Sequence, residues 1–254
     1  MQRLSGKAAF ITGGGTGIGR ACALLFAAEG AKVAITARRR DRLDATAKEI
    51  RTAGGETLAV ECDITDRASV ERALREAEER FGKLNVVVNN AGAVHVGSVE
   101  ETSDEDWHRV ISTNLTGTFL VSRAAVPALR RSGGGSIINV GSYLGLVGLK
   151  QRAAYAASKG GVTMLTKAMA LDHAHERVRV NCICPALVET ELARDAWERT
   201  PDPAAYRKIR ESQIPIGRFG RPEDVAQLAV FLASDESSWM TGVALPLDGG
   251  VTAG

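Results

Sequence analysis

Seven short runs of aliphatic and β-branched residues recur along this chain, interleaved with longer stretches of helical periodicity. That alternation restricts the possible folds more than any other feature. The runs are 8–12, 32–36, 57–62, 84–89, 135–141, 178–184 and 243–247, and the helical stretches lie near 17–29, 40–53, 67–81, 104–131, 152–176 and 222–233. Strand–helix alternation implies βαβ units and a parallel sheet with helices on both faces. Right-handed crossovers leave few topologies, and the doubly wound α/β sheet, here seven-stranded, is the commonest. At 254 residues the chain can bury such a core without disulfides or metals. No repeat or linker divides it, so residues 1–254 read as one domain.

Local signals agree with this map. Gly30 and Gly54-Gly55 stand where the first two helices should stop. Thr102-Ser103-Asp104-Glu105 offers N-cap residues for a later helix. Pro127 is expected to kink or end the helix in which it falls. The least regular stretch runs from Pro185 to Ile216, with prolines at 185, 201, 203 and 215. An irregular segment of that length in a compact domain is usually functional, and 186–216 is expected to be a flexible lid over the substrate.

Charge and composition remove several function classes. Lys and Arg exceed Asp and Glu by 32 − 30 = 2, so no global field recruits nucleic acid or an acidic membrane. The run Arg38-Arg39-Arg40 is too short to change that. Aromatic residues make up only 5%, which disfavours base-stacking platforms. The N-terminal Met1–Lys7 has no apolar signal-peptide core, and no apolar run approaches the roughly 20 residues of a membrane helix. A cytoplasmic protein is expected. Cys22, Cys62, Cys182 and Cys184 lack zinc-ligand spacing and read as small buried hydrophobes, with Cys182 and Cys184 on one strand face. His95, His108, His173 and His175 show no ligand spacing either and are expected to be solvated, so no metal is expected.

The 27 glycines are informative where they cluster. The first strand runs into Thr12-Gly13-Gly14-Gly15-Thr16-Gly17-Ile18-Gly19, and a helix follows. A glycine turn opening a helix lets the backbone approach a phosphate, and the helix N-terminus favours its charge. The spacing is not GxGxxG, since Ile18 takes the place of the last glycine, and the position after the first strand is what gives the turn weight. Beyond the second strand a carboxylate would accept from a ribose 2′-OH, while an arginine can hold a 2′-phosphate. The strand ends Thr36-Ala37-Arg38-Arg39, with no acid before Asp41. NADP(H) is therefore the preferred cofactor, with NAD(H) possible if the arginines are merely a solvated helix start.

Tyr155 and Lys159 stand four apart on one helical face. A phenol with a pKa of about 10 exchanges protons poorly near neutrality, and a neighbouring ammonium is expected to lower it. Ser142 follows the fifth apolar run, at the carboxyl end of a parallel strand where ligand crevices lie.

Together these motifs resemble the short-chain dehydrogenase/reductase family over essentially the whole chain, implying a Rossmann-type domain. The resemblance assigns Asn114, Ser142, Tyr155 and Lys159 to catalysis. It assigns Gly13, Gly15, Thr16, Gly17, Ile18, Gly19, Arg38 and Arg39 to the cofactor, with Asp63 and Ile64 of Cys62-Asp63-Ile64 on its adenine. Asn90, Ala91 and Gly92 of Asn89-Asn90-Ala91-Gly92 line its adenosine side. Pro185, Val188 and Thr190 meet its nicotinamide, and Tyr155 and Lys159 its ribose. One departure stands out: Ala186 replaces the family's usual glycine after proline, which puts the local backbone geometry in question.

The implied reaction moves a hydride between nicotinamide and a ketone or secondary alcohol. Tyr155 is the general acid/base, Lys159 lowers its pKa, Ser142 orients the oxygen, and Asn114 connects Lys159 to solvent through a water. Alternatives are a 3-oxoacyl-carrier-protein reductase and an NAD-dependent alcohol or polyol dehydrogenase. Leu171-Asp172, where such carrier-protein reductases often have a basic residue, weighs against the first. Sugar, aryl-alcohol and steroid substrates stay open, and a non-catalytic dinucleotide sensor is a distant alternative. Val94, His95, Leu144, Leu146, Leu187 and Trp197 are candidate lining of a mostly apolar substrate pocket. A homotetramer is implied, and the faces Leu115/Phe119/Leu120 and Val162/Leu165/Met169 suit either a partner or the sheet.

Overall fold

The strand β1 (Ala8–Thr12) is buried at all five positions. A strand covered by helices on both faces must be apolar throughout, so AAFIT is a continuous run with no polar alternation. The computed structural model describes residues 2–198 and 200–253; Met1, Gly254 and Arg199 of the expected lid lie outside the described residues. From β1 the chain continues through α1 (Gly17–Ala28), β2 (Lys32–Ala37), α2 (Arg40–Thr52), β3 (Thr57–Glu61) and α3 (Arg67–Phe81). It returns as β4 (Val86–Asn89), followed by α4 (Asp104–Ile111), α5 (Gly117–Arg131) and β5 (Gly135–Val140). Then come α6 (Ala153–His173), β6 (Val178–Pro185), α7 (Glu191–Glu198), α8 (Pro203–Ser212), α9 (Pro222–Ala233) and β7 (Ala244–Leu247).

The seven strands form one parallel sheet in the order β3-β2-β1-β4-β5-β6-β7. Phe26, Leu43 and Val230 belong to the core on one face, and Leu74, Leu129 and Met169 to the core on the other. The chain winds outward from β1 to β3, then restarts at β4 on the opposite side of β1. The crevice outside the carboxyl ends of β1 and β4 is thus the switch point where doubly wound sheets bind ligands.

Two local expectations need correction. Pro127 neither ends α5 nor interrupts it: the helix runs on to Arg131. Pro127 and Arg123, whose carbonyl would have taken the missing N–H, are both exposed, so the proline sits on the side of α5 turned to solvent, where a lost bond costs least. The expected irregular lid contains two helices. Pro203 opens α8 behind Asp202, whose carboxylate accepts from the Ala205 N–H at 2.9 Å, so this proline starts a helix rather than breaking one. Val162 and Met169 are buried within the chain, against β6 and α5 neighbours, while Phe119 is 43% exposed. Between α4 and α5 the helix widens into a π turn, Ser112–Thr116, with the Gly117 N–H donating to Ser112 O. Such turns concentrate at functional sites, and Asn114 lies within this one.

Candidate active site

The glycine turn is held as one body with the end of β4. The Thr12 hydroxyl accepts from the Asn90 and Ala91 N–H groups at 3.0 and 3.1 Å, and Asn90 Nδ2 donates to Thr12 O at 3.0 Å. A Cβ at Gly19 would lie 2.2 Å from Gly13 O, so the first turn of α1 approaches the loop as closely as only glycine allows. Thr16, the N-cap of α1, makes no side-chain cap, and no acidic residue sits in the first turn. The leading N–H groups and the positive end of the helix dipole are thus left for an anion. Gly13, Gly15, Thr16, Gly17, Ile18 and Gly19 together form a cradle that fits a dinucleotide pyrophosphate.

Beside it, Arg38, Glu61, Cys62, Asp63, Ser69 and Arg72 line a recess of about 370 Å³. Of the three consecutive arginines only Arg38 reaches it. Arg40 Nε pairs with Asp44 at 3.0 Å along α2, and Arg39 is the exposed N-cap residue. Asp63 accepts from the Thr65 N–H at 2.9 Å and hydroxyl at 2.7 Å. Burial raises its pKa, but these two bonds and the nearby Arg38 charge outweigh it and hold the carboxyl below its ordinary value. Ile64 is buried against α5 at Gly117. Arg72 was not apparent from the sequence because nothing in its spacing on α3 marks it.

At the carboxyl end of β5 the polar residues converge. Ser142 is buried and follows the strand, and its hydroxyl accepts from the Leu144 N–H at 3.1 Å. The short 3₁₀ turn Tyr143–Gly145 packs onto α6 so tightly that a Cβ at Gly145 would sit 2.7 Å from Lys159 O. This contact fixes Ser142 over Tyr155 and Lys159. Lys159 Nζ donates to Val140 O at 2.8 Å and lies 5.8 Å from the Tyr155 ring centroid. Asn114 Oδ1 and Lys159 Nζ flank Gly92, at 3.3 and 3.8 Å from where its Cβ would be. The Asn114 side chain is fully bonded: it accepts from Ala93 N–H at 2.7 Å and donates to Ala93 O and Ser158 Oγ, both at 2.9 Å.

Burial pushes the Tyr155 phenol above its ordinary pKa, and the Ser142 hydroxyl, which favours the phenolate, offsets only part of this. Burial also pulls Lys159 down to about 8. The lowering expected from Lys159 is not what sets the phenol here: desolvation is the largest influence, and it favours the protonated form.

Ala186, the departure from the family pattern, fits without strain. It is not among the non-glycine residues with positive φ, and its N–H donates to Leu247 O at 3.3 Å. Val188 pairs with Gly220, and the Thr190 methyl lies against Gly17, so the segment that follows Pro185 at the end of β6 brings Thr190 to the glycine turn. Trp197 does not line an open pocket: it stacks on Phe219 at 4.9 Å in a small core with Leu187 and Ile214. Leu144 is buried and Leu146 exposed, while Val94 is half-buried. His95 is not solvated, with its Nδ1 3.5 Å from Asp106 and its side chain 14% exposed. His173 is likewise half-buried, 3.1 Å from Glu176, while His108 and His175 are exposed. All four cysteines are free and buried, Cys182 and Cys184 with sulfurs 3.7 Å apart. Among the described residues no group of His, Cys, Asp or Glu is placed to hold a metal, and no helix is long and apolar enough to cross a membrane.

Residues 13–252 match the family model described as enoyl-(acyl carrier protein) reductase. The chain is 43% identical to the 2,5-dichloro-2,5-cyclohexadiene-1,4-diol dehydrogenase LinX of Sphingobium indicum, over 100% of this chain and 99% of that one. It is 40% identical to the 3-oxoacyl-[acyl-carrier-protein] reductase FabG of Thermotoga maritima, over 98% and 99% of the two chains. A crystal structure of a short-chain type dehydrogenase/reductase from Mycobacterium marinum superposes with a TM-score of 0.93 at 40% identity, covering 100% and 98% of the two chains. With the doubly wound sheet, glycine cradle and Ser-Tyr-Lys cluster in place, these matches show that the chain belongs to the short-chain dehydrogenase/reductase family.

Proposed function

We propose that this chain is an NADP(H)-dependent oxidoreductase acting between a ketone and a secondary alcohol, with Tyr155 as general acid and base. The observation that carries this reading is the convergence of Ser142, Tyr155 and Lys159 at the carboxyl edge of the sheet, next to the glycine cradle. The bound dinucleotide supplies or takes the hydride. Tyr155, kept protonated by burial, gives its proton to the carbonyl oxygen in reduction and takes it back in oxidation. Ser142 holds that oxygen. Lys159 offers its ammonium to ribose hydroxyls and stabilises the phenolate as it forms. Asn114 fixes the Ala93 loop against α6, and by the family pattern holds the water that links Lys159 to solvent. Segment 186–216 acts as the substrate lid, and the subunits assemble as a homotetramer through the side of α5 where Phe119 is exposed.

Arg38 carries the cofactor preference: it lines the recess next to Asp63, and among the described residues no carboxylate forms an ion pair with it. A free guanidinium fork suits a 2′-phosphate. The second reading, an NAD-dependent alcohol or polyol dehydrogenase, draws on the diol named for the Sphingobium relative. Carrier-protein thioesters, named for the Thermotoga relative, are a third. Fluorescence titration with NADPH and NADH, on wild type and Arg38→Ala, separates the first two. Binding of NADPH about tenfold tighter, lost in the variant, supports the phosphate reading. Equal or tighter NADH binding replaces it with the second, and binding of neither sinks the oxidoreductase reading.

A further inference from the structure

Arg210, on α8, brings a guanidinium to the Ser142–Tyr155 neighbourhood with no counter-ion among the described residues. Tyr206, Arg207 and Arg210 share one face of α8. Tyr206 packs on the Trp197/Phe219 core, and Arg207 pairs with Glu189 and covers both aromatic rings. Neighbours on the other side, such as Ile209 at 58% exposed, face water. This anchoring turns Arg210 inward, where Nη2 donates to the Tyr143 hydroxyl at 3.2 Å and Nη1 to Gln213 Oε1 at 2.7 Å. Nε is shut off from solvent and has no hydrogen-bond partner. No described carboxylate lies within ion-pairing distance of the guanidinium. Tyr143 directly follows Ser142, and its side chain is close enough to Tyr155 to perturb the phenol.

A half-buried arginine whose Nε has neither solvent nor partner, with no anion among the described residues, is unfavourable unless something else supplies the charge. A planar carboxylate grips the Nε/Nη2 edge with two parallel bonds, here by taking Nη2 from the Tyr143 hydroxyl and opening the enclosure around Nε. We propose that Arg210 is the carboxylate-binding residue of the substrate site, and that the substrate is a ketone or secondary alcohol bearing a carboxylate remote from the reacting carbon. The proposal rests on the oxidoreductase reading for its chemistry, while the anion site itself stands on Arg210, Tyr143 and Gln213.

The test uses cyclohexanecarboxylate and its neutral isostere cyclohexanecarboxamide, neither of which has a ketone to reduce, titrated calorimetrically with NADPH present. Wild type is expected to bind the carboxylate about tenfold more tightly than the amide, and Arg210→Met to lose that preference. Equal binding of the two, no binding of either, or a preference that survives in Arg210→Met overturns the proposal. If Arg210→Met fails to fold, Arg210→Lys replaces it. That variant retains charge but not the fork and is expected to weaken the preference about threefold, and an unchanged preference overturns the idea. Turnover of 4-oxocyclohexanecarboxylate and its amide separates the two readings. Arg210-dependent binding without reduction of either ketone leaves the anion site standing and removes the oxidoreductase. Reduction of both ketones with no preference for the acid does the reverse.

Discussion

Lys159 holds its ammonium where little water reaches: the residue is 5% exposed, and Nζ donates to Val140 O at 2.8 Å. Burial lowers its pKa from 10.5 to about 8. A cation with a lowered folded pKa destabilises the fold, because the unfolded chain binds the proton more strongly. The penalty is complete below about pH 8, fades as pH rises toward 10.5, and vanishes above both values. A shift of that size amounts to about 3 kcal/mol near pH 7 and about 1.5 kcal/mol near pH 9.5. Lys159→Met retains the length of the side chain, removes the charge, and forfeits one hydrogen bond of about 1 kcal/mol. The variant should therefore be about 2 kcal/mol more stable than wild type near pH 7, with the two nearly equal near pH 9.5. Urea unfolding of both proteins at the two pH values reads the difference directly, and groups that titrate alike in both cancel. A variant less stable than wild type at neutral pH, or a gap that does not change with pH, refutes the reasoning. Turnover should collapse in the same variant, which would mark Lys159 as a residue kept for chemistry at the expense of stability.

Tyr155→Phe should lower turnover by about 10²- to 10⁴-fold while NADPH still binds by fluorescence, since the hydroxyl that exchanges the proton is lost but the glycine cradle is intact. Gly19→Ala would place a methyl 2.2 Å from Gly13 O and 2.5 Å from Asn90 Nδ2, which is itself bonded to the loop. It should destabilise the fold by about 3 kcal/mol in urea and abolish dinucleotide binding. Gly160→Ala is the contrast: its new Cβ would meet nothing nearer than Gly145 O at 3.9 Å, inside α6. There the gain in helix propensity should stabilise the protein by about 1 kcal/mol in the same assay.

The parts of this molecule that could be read from the chain are those whose geometry is local. Strands buried on both faces must be continuous apolar runs, so Ala8–Thr12 and Gly135–Val140 announce themselves. The glycine cradle lies within eight consecutive residues, and helical periodicity alone puts Tyr155 and Lys159 on one face. Asp202-Pro203 is a helix start of the same local kind, an N-cap acid followed by a proline at the first helical position, although the prolines around it make the stretch read as irregular. Pro127 is a different matter. Whether a proline breaks a helix depends on whether its ring and the freed carbonyl face water, and that is decided by how α5 packs on the sheet.

The electrostatics were legible only in part, for the same reason. Four-residue spacing establishes that an ammonium lies near a phenol, but the direction of the phenol's shift is set by the surrounding dielectric. That dielectric is assembled from β5, the turn after it and α6, elements that converge only in the folded chain. Arg210 makes the point more sharply. Its partner Tyr143 is 67 residues away, so no spacing rule links them. An arginine on α8 reads as solvated until the fold encloses its Nε, and the proposed carboxylate preference is written in that enclosure.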